Sequence, residues 1–160
     1  MIFGIVRSTF GGDSHKEIFG SVGAHLKKER ASLKATQNAG SSVFETTLSG
    51  RTYIRLLKDL KRKGYTIHLF YLWVRDINLA IKRIEERVKM GGHDVPALVV
   101  RRRFNRGLDN LFHVYKPLLD SWTIFDNSTE LPHVIVHEKK GVLTIVDDRL
   151  YELIRRSLRK

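Results

Sequence analysis

Four arginines crowd one short stretch of the chain, Arg101, Arg102, Arg103 and Arg106 in GGHDVPALVVRRRFNRGLDNL, residues 91–111. Asp94 is expected to cap a helix there, with Pro96 in its first turn, where the missing N–H costs nothing. Residues three and four apart share a helix face, so Arg106 neighbours both Arg102 and Arg103. Arg87 stands one helix earlier, just before the pair Gly91-Gly92. A guanidinium is a planar fork that binds phosphate oxygens two at a time and stays charged. Two helices hinged at glycines, each bringing such groups over a phosphorylated ligand, would have this pattern. A solvated helix face would have it too, and spacing alone does not choose.

Two other clusters carry polar chemistry. Glu45-Thr46-Thr47 closes a short apolar stretch, VFE, read as a strand. The carboxyl edge of an open α/β sheet is where ligands bind, and a carboxylate with two hydroxyls suits a sugar or nucleoside hydroxyl. Turn chemistry is the competing reading. In FDNS, residues 125–128, Asn127 and Ser128 follow a second strand and either touch a base or sugar or make the turn. His93 follows the two glycines but has no second His, Cys or carboxylate at ligand spacing. It is expected to support the hinge, and no metal site is expected.

The chain as a whole narrows the classes. Its 160 residues suffice for one domain with a real core, read here as a single domain spanning 1–160. Lys and Arg number 29 against 17 Asp and Glu, a formal charge of +12, which favours anionic partners without choosing one. Zero cysteines exclude disulfides, thiolate metal sites and thiol nucleophiles, and fit a cytoplasmic location. The longest apolar run, IHLFYLWV at 67–74, is too short for a bilayer and suits a buried strand. A nucleic-acid-binding module is the alternative that charge alone supports. It is disfavoured because no aromatics interleave the basic runs and no helix-turn-helix signal occurs.

The elements that must position these residues alternate. MIFGIV (1–6) reads as a strand, RSTFGGDSH (7–15) as a loop, 16–37 as a weak helix and NAGSS (38–42) as a break. Ser49 is expected to cap a helix over 50–63 that Gly64 stops. YTIHLFYLWV (65–74) reads as a strand inside a parallel sheet, because it is apolar on both faces. Asp76 caps a helix over 77–90. The arginine helix follows, broken near Gly107 and reaching about residue 119, then a strand at 121–128. A hairpin over 133–147 turns at Lys139-Lys140-Gly141, and a last helix from Asp147 or Asp148 runs to about 158. Alternating strands and helices imply an α/β architecture with a mainly parallel sheet flanked by helices.

Read in order, VFETTLSGRTYIRLLKDLKRKGYTIHLFYLWV, RIEERVKMGGHDVPALVVRRRFNRGLDNLF and WTIFDNS resemble zeta toxin-like P-loop kinases, the branch labelled predicted ABC-type ATPase. The resemblance runs from about residue 41 to 158. It implies a P-loop kinase-like fold and phosphoryl transfer from ATP, with Mg2+, to a small hydroxyl-bearing acceptor, which in the best-known members is the sugar of UDP-N-acetylglucosamine. By resemblance, Glu45 and Thr46 would contact the substrate. Residues 87–106 would form a lid whose Arg87, Arg102, Arg103 and Arg106 reach phosphates, and Asn127 and Ser128 would lie near the nucleotide. An antitoxin protein is the implied partner.

One departure is large. A P-loop needs G-x-x-x-x-G-K-[ST], whose amides cradle the phosphates, whose Lys neutralises them and whose hydroxyl holds magnesium. Nowhere in the 160 residues is a glycine followed by lysine. The segment RSTFGGDSHKE (7–17) offers Gly11, Gly12 and Lys16 at other spacing. The family also carries a longer stretch before its ETT block, with the presumed catalytic aspartate, so no catalytic residue is assigned here. The kinase domain is therefore expected to be N-terminally incomplete, with residues 1–40 atypical, and inactive alone. Either an upstream segment is missing, or MIFGIV takes the central strand position and 16–38 returns as a crossover helix. A non-catalytic interaction remnant of a toxin–antitoxin system is a further alternative.

Overall fold

A computed structural model describes residues 3–9 and 41–159. The expected helix over 16–37 and the segment holding Gly11, Gly12 and Lys16 lie outside the described residues.

Six strands form one open sheet in the order β2-β1-β3-β4-β5-β6. They are β1 (Phe3–Thr9), β2 (Ser41–Thr46), β3 (Thr66–Trp73), β4 (Ser121–Asp126), β5 (His133–Lys139) and β6 (Val142–Ile145). Among the described residues four α-helices accompany them: α1 (Tyr53–Arg62), α2 (Ile77–Lys89), α3 (Ala97–Asn110) and α4 (Asp148–Ser157). The architecture is the α/β one expected, an open sheet consistent with a P-loop kinase-like fold, ending in a hairpin and a helix. Parallel pairing is narrower than the apolar strands suggested. It joins β3 to β4, while β1 runs antiparallel to both β2 and β3, and β4-β5-β6 alternate in direction. Connection length explains the right-hand half. Between β3 and β4 the chain has room for α2 and α3, so it crosses over and returns in the same direction. A short loop joins β4 to β5 and two residues join β5 to β6, so those strands must reverse. Strand β1 runs on to Thr9, where the sequence reads as loop from Arg7.

Local chemistry accounts for most boundaries. Asp76 accepts the Asn78 amide at 2.9 Å and Asp147 the Leu150 amide at 2.9 Å, each satisfying an orphan donor of a first helical turn. Gly64 (φ 82°) and Gly91 (φ 83°) take the left-handed conformation that ends a helix without Cβ strain. Lys140 (φ 52°) and Gly141 (φ 79°) make the β5-β6 turn, both at the positive φ of the turn type that matches strand twist.

Three expected features differ. Helix α3 starts after Pro96 with no side-chain cap, so Asp94 does not cap it. Proline drives the preceding residue into extended backbone and delays the helix past the reach of Asp94. Helix α1 begins at Tyr53 with no side-chain cap, because the Ser49 hydroxyl lies 2.8 Å from that of Thr47 instead. Finally, α3 runs unbroken through Gly107 to Asn110 and continues as a π-turn (Leu111–Tyr115) and a 3-10 turn (Lys116–Leu118).

Strand β3 contributes Ile67, Leu69, Tyr71 and Trp73 to the core, joined by Trp122 and Ile124 of β4, Leu57 of α1, Ile84 of α2, Leu108 of α3 and Ile154 of α4. Among the described residues no helix is long and apolar enough to cross a membrane.

Candidate functional site

Strands β2, β3 and β4 point the same way, so their carboxyl ends share one edge of the sheet. Thr46 stands level with Gly4 and, across it, Tyr71, while Trp73 pairs with Asp126. Helix α3 lies over this edge. It comes unusually close at Gly107, where a Cβ would stand 2.6 Å from the Thr47 carbonyl oxygen and 2.8 Å from the Tyr71 hydroxyl. Only glycine allows that approach. Burial also pushes the Tyr71 phenol well above its ordinary pKa, so it stays neutral.

Residues at i, i+4 and i+7 share a helix face, so Arg103, Gly107 and Asn110 look the same way. Below them, residues 47–52 are fixed from several directions. The Asn110 side-chain amide donates to the Leu48 carbonyl at 2.7 Å, and the Tyr115 hydroxyl to the Gly50 carbonyl at 2.6 Å. The Leu48 amide donates to the Thr46 hydroxyl at 3.0 Å. Leu48 itself adopts φ 53°, rare for a side chain with a Cβ, and is fully buried. Such a conformation costs about 1–3 kcal/mol and persists only where surrounding contacts impose it.

The result is a cleft of about 440 Å³ lined by Glu45, Thr46, Thr47, Ser49, Gly50, Thr52, Tyr53 and Arg103. One wall offers a carboxylate and four hydroxyls, and the other a guanidinium. Tyr53 adds an aromatic side, held by stacking on Phe44 at 4.5 Å between ring centroids. The pieces suit a ligand with hydroxyls at one end and negative charge at the other. A small void of about 20 Å³ shares Thr47 and Arg103 with this cleft and is otherwise lined by apolar side chains such as Ala80, Ile84 and Val100.

The structure thus brings Glu45, Thr46 and Arg103 together. Arg102 and Arg106 are exposed and do not line the cleft. Arg87 braces the α2–α3 connection: its Nη2 donates to the His93 carbonyl at 3.0 Å, and Gly92 packs so tightly on it that a Cβ there would stand 2.6 Å from Arg87 Cγ. Asn127 and Ser128 belong to a network around Asp126, whose side chain is fully buried. Arg75 Nε donates to Asp126 Oδ2 at 2.8 Å, and the Ser128 amide to Oδ1 at 2.9 Å. Arg83 in turn donates to the Asn127 carbonyl at 2.6 Å. Burial alone would push the Asp126 carboxyl up. The hydrogen bonds from Ser128 and Arg75 outweigh it and hold the group below its ordinary range. A second cleft, about 260 Å³, opens beside this network between Arg75, Asp76, Ile77, Arg101, Phe104 and Asn105.

The donor set bears on the ATP and Mg2+ that the resemblance implies. Mg2+ favours carboxylates with free oxygens, and the Asp126 carboxylate at this edge is already engaged by Arg75 and Ser128. Among the described residues no group of three His, Cys, Asp or Glu could hold a metal ion. No Gly-Lys pair occurs in the sequence, and the described residues do not fit a Mg-nucleotide triphosphate.

Sequence reasoning missed Ser49, Thr52 and Tyr53 as cleft residues, and Leu48, Gly107, Asn110 and Tyr115 as the groups that shape it. The face shared by Arg103, Gly107 and Asn110 was the available signal.

Comparison with known proteins agrees with the motifs. The family model described as Zeta toxin matches residues 16–150. An uncharacterized protein of Haemophilus influenzae (strain ATCC 51907 / DSM 11121 / KW20 / Rd) is 37% identical over 61 residues, covering 38% of this chain and 44% of that protein. The match therefore spans less than half of that relative's length. No solved structure matches the chain. With the family model covering most of its length, over the segment that builds the sheet edge, α3 and the cleft, the chain belongs to the zeta toxin family.

Proposed function

We propose that the cleft is an acceptor site for a small, hydroxyl-bearing, phosphorylated molecule of the nucleotide-sugar class, and that these 160 residues alone bind it without transferring a phosphoryl group. The observation that carries this reading is the single cleft joining Glu45, Thr46, Thr47 and Ser49 to Arg103. Glu45 and the hydroxyls accept and donate hydrogen bonds to sugar hydroxyls, and Arg103 pairs with a phosphate. Zeta toxin relatives are in general ATP-dependent, and an acceptor site is in keeping with that chemistry. Phosphoryl transfer needs triphosphate and metal held in line with the acceptor; the sequence has no Gly-Lys pair to grip the phosphates, and no metal-holding group occurs among the described residues. Service in the cytoplasm as one domain, and partnership with an antitoxin protein, are parts of the same proposal.

The test combines two measurements on the full chain. Incubation with UDP-N-acetylglucosamine, Mg2+ and ATP should yield no phosphorylated sugar nucleotide, while ligand-observed nuclear magnetic resonance should detect the sugar nucleotide bound. A phosphorylated product would overturn the non-catalytic part of the reading. Absence of binding to a folded chain would overturn the acceptor site.

A further inference from the structure

The hairpin β5-β6 ends the sheet, and its outer strand is apolar and uncovered. Val142 is 68% exposed, Leu143 41%, Ile145 40% and Val146 60%. Edge strands in soluble proteins are ordinarily protected by charge, proline or a bulge, because their unpaired amides template pairing with another strand. Strand β6, VLTI, carries none of these.

Its hydrogen-bonding direction is fixed by its partner. The Val146 amide donates to the Ile135 carbonyl at 2.8 Å, and β6 pairs Thr144 with His137 and Val142 with Lys139. Antiparallel strands alternate between residues bonded inward and residues bonded outward. The backbone groups of Val142, Thr144 and Val146 therefore face β5, and those of Leu143 and Ile145 face out.

We propose that β6 pairs antiparallel with β6 of a second copy of this chain, with Thr144 on the two-fold axis. Leu143 of each copy then exchanges hydrogen bonds with Ile145 of the other. Val142 meets Val146, and Thr144 meets its own equivalent. Beyond the strands, exposed Lys140 at the turn meets exposed Asp148 at the start of α4. The two neighbouring registers lack this fit. Moving the axis to Leu143 sets Gly141 against Ile145 and Lys140 against Val146. Moving it to Ile145 sets Leu143 against Asp147 and Val142 against Asp148. Apolar pairing on both faces and opposite charge at both ends agree only with Thr144 at the centre. Being isologous, the contact closes at two copies and builds no fibre.

Sedimentation velocity of the full chain over a range of concentrations tests the pairing. A reversible species of twice the monomer mass is expected, weakened on the order of tenfold by Lys140→Glu or by Asp148→Lys and restored in the double variant. Thr144→Lys, which puts like charges on the axis, should give monomer, with unchanged circular dichroism showing that the chain remains folded. A wild type that stays monomeric at every concentration would overturn the proposal. So would species larger than a dimer, a dimer that Thr144→Lys leaves intact, or a double variant no better than the single ones.

Discussion

Gly107 of α3 lies against the backbone of Thr47, so close that a methyl group at position 107 would stand 2.6 Å from the Thr47 carbonyl oxygen. Neither side of that contact is a flexible side-chain end, so an alanine there must push helix and loop apart. Gly107→Ala gains about 1 kcal/mol of helix propensity but forces backbone movement that costs about 1–3 kcal/mol. The expected result is a protein that melts at lower denaturant concentration and binds cleft ligands more weakly, because Arg103 sits one turn away on the same face. Urea unfolding checks the first part and ligand titration the second.

The loop below α3 depends on Asn110, whose amide holds the carbonyl of the strained, buried Leu48. Asn110→Ala removes that bond and should cost about 1–2 kcal/mol. Amide hydrogen exchange over residues 47–52 should accelerate more than exchange in β3 or β4, which separates a loosened loop from general destabilisation.

What the sequence disclosed follows from how local each cause is. Asp76 and Asp147 cap helices, and Gly64, Gly91 and Lys140-Gly141 turn the chain, through contacts within a few residues, and the sequence shows them. The left-handed Leu48 is invisible, since leucine disfavours that conformation and only Asn110, Tyr115 and burial impose it. Ser49 looked like a helix cap because its pairing with Thr47 depends on that same bend. Strand direction was half legible. The β3-β4 crossover shows in the length between the strands, whereas the apolar character of β3 marks an interior strand and says nothing of the direction of β1. That Glu45 and Thr46 stand at the end of a strand was legible in the sequence; that they line a cleft was not. Which of four arginines joins them was settled by the packing of Gly107.

Asp126 offers a pH signature. Its folded-state pKa lies below the ordinary value of 3.8, so its pairing contributes stability above that value and loses it as pH falls through the folded pKa. Asp126→Asn leaves half-exposed Arg75 without its carboxylate and should destabilise the protein at neutral pH by about 1.5–3 kcal/mol, the range for hydrogen bonds to a charged group. The gap between wild type and variant should narrow on acidification below about pH 4. Thermal unfolding of both proteins from pH 7 down to pH 3 reads this out. A gap independent of pH would show that the carboxylate's charge is not what counts.

Among the arginines, position predicts unequal effects. Arg102→Ala and Arg106→Ala remove exposed groups outside the cleft and should change sugar-nucleotide affinity less than about twofold, a screened surface effect. Arg87→Ala should act on stability, through its bond to the His93 carbonyl in the α2–α3 connection, rather than on affinity.

The most direct test of the proposed acceptor site is a calorimetric titration of the chain with UDP-N-acetylglucosamine, in wild type and in Arg103→Ala. Saturable one-to-one binding is predicted, weakened roughly tenfold or more when Arg103 is removed, as expected for loss of a charge-assisted hydrogen bond of about 1.5–3 kcal/mol. Binding that Arg103→Ala leaves unchanged, or no binding by a folded wild type, would contradict it.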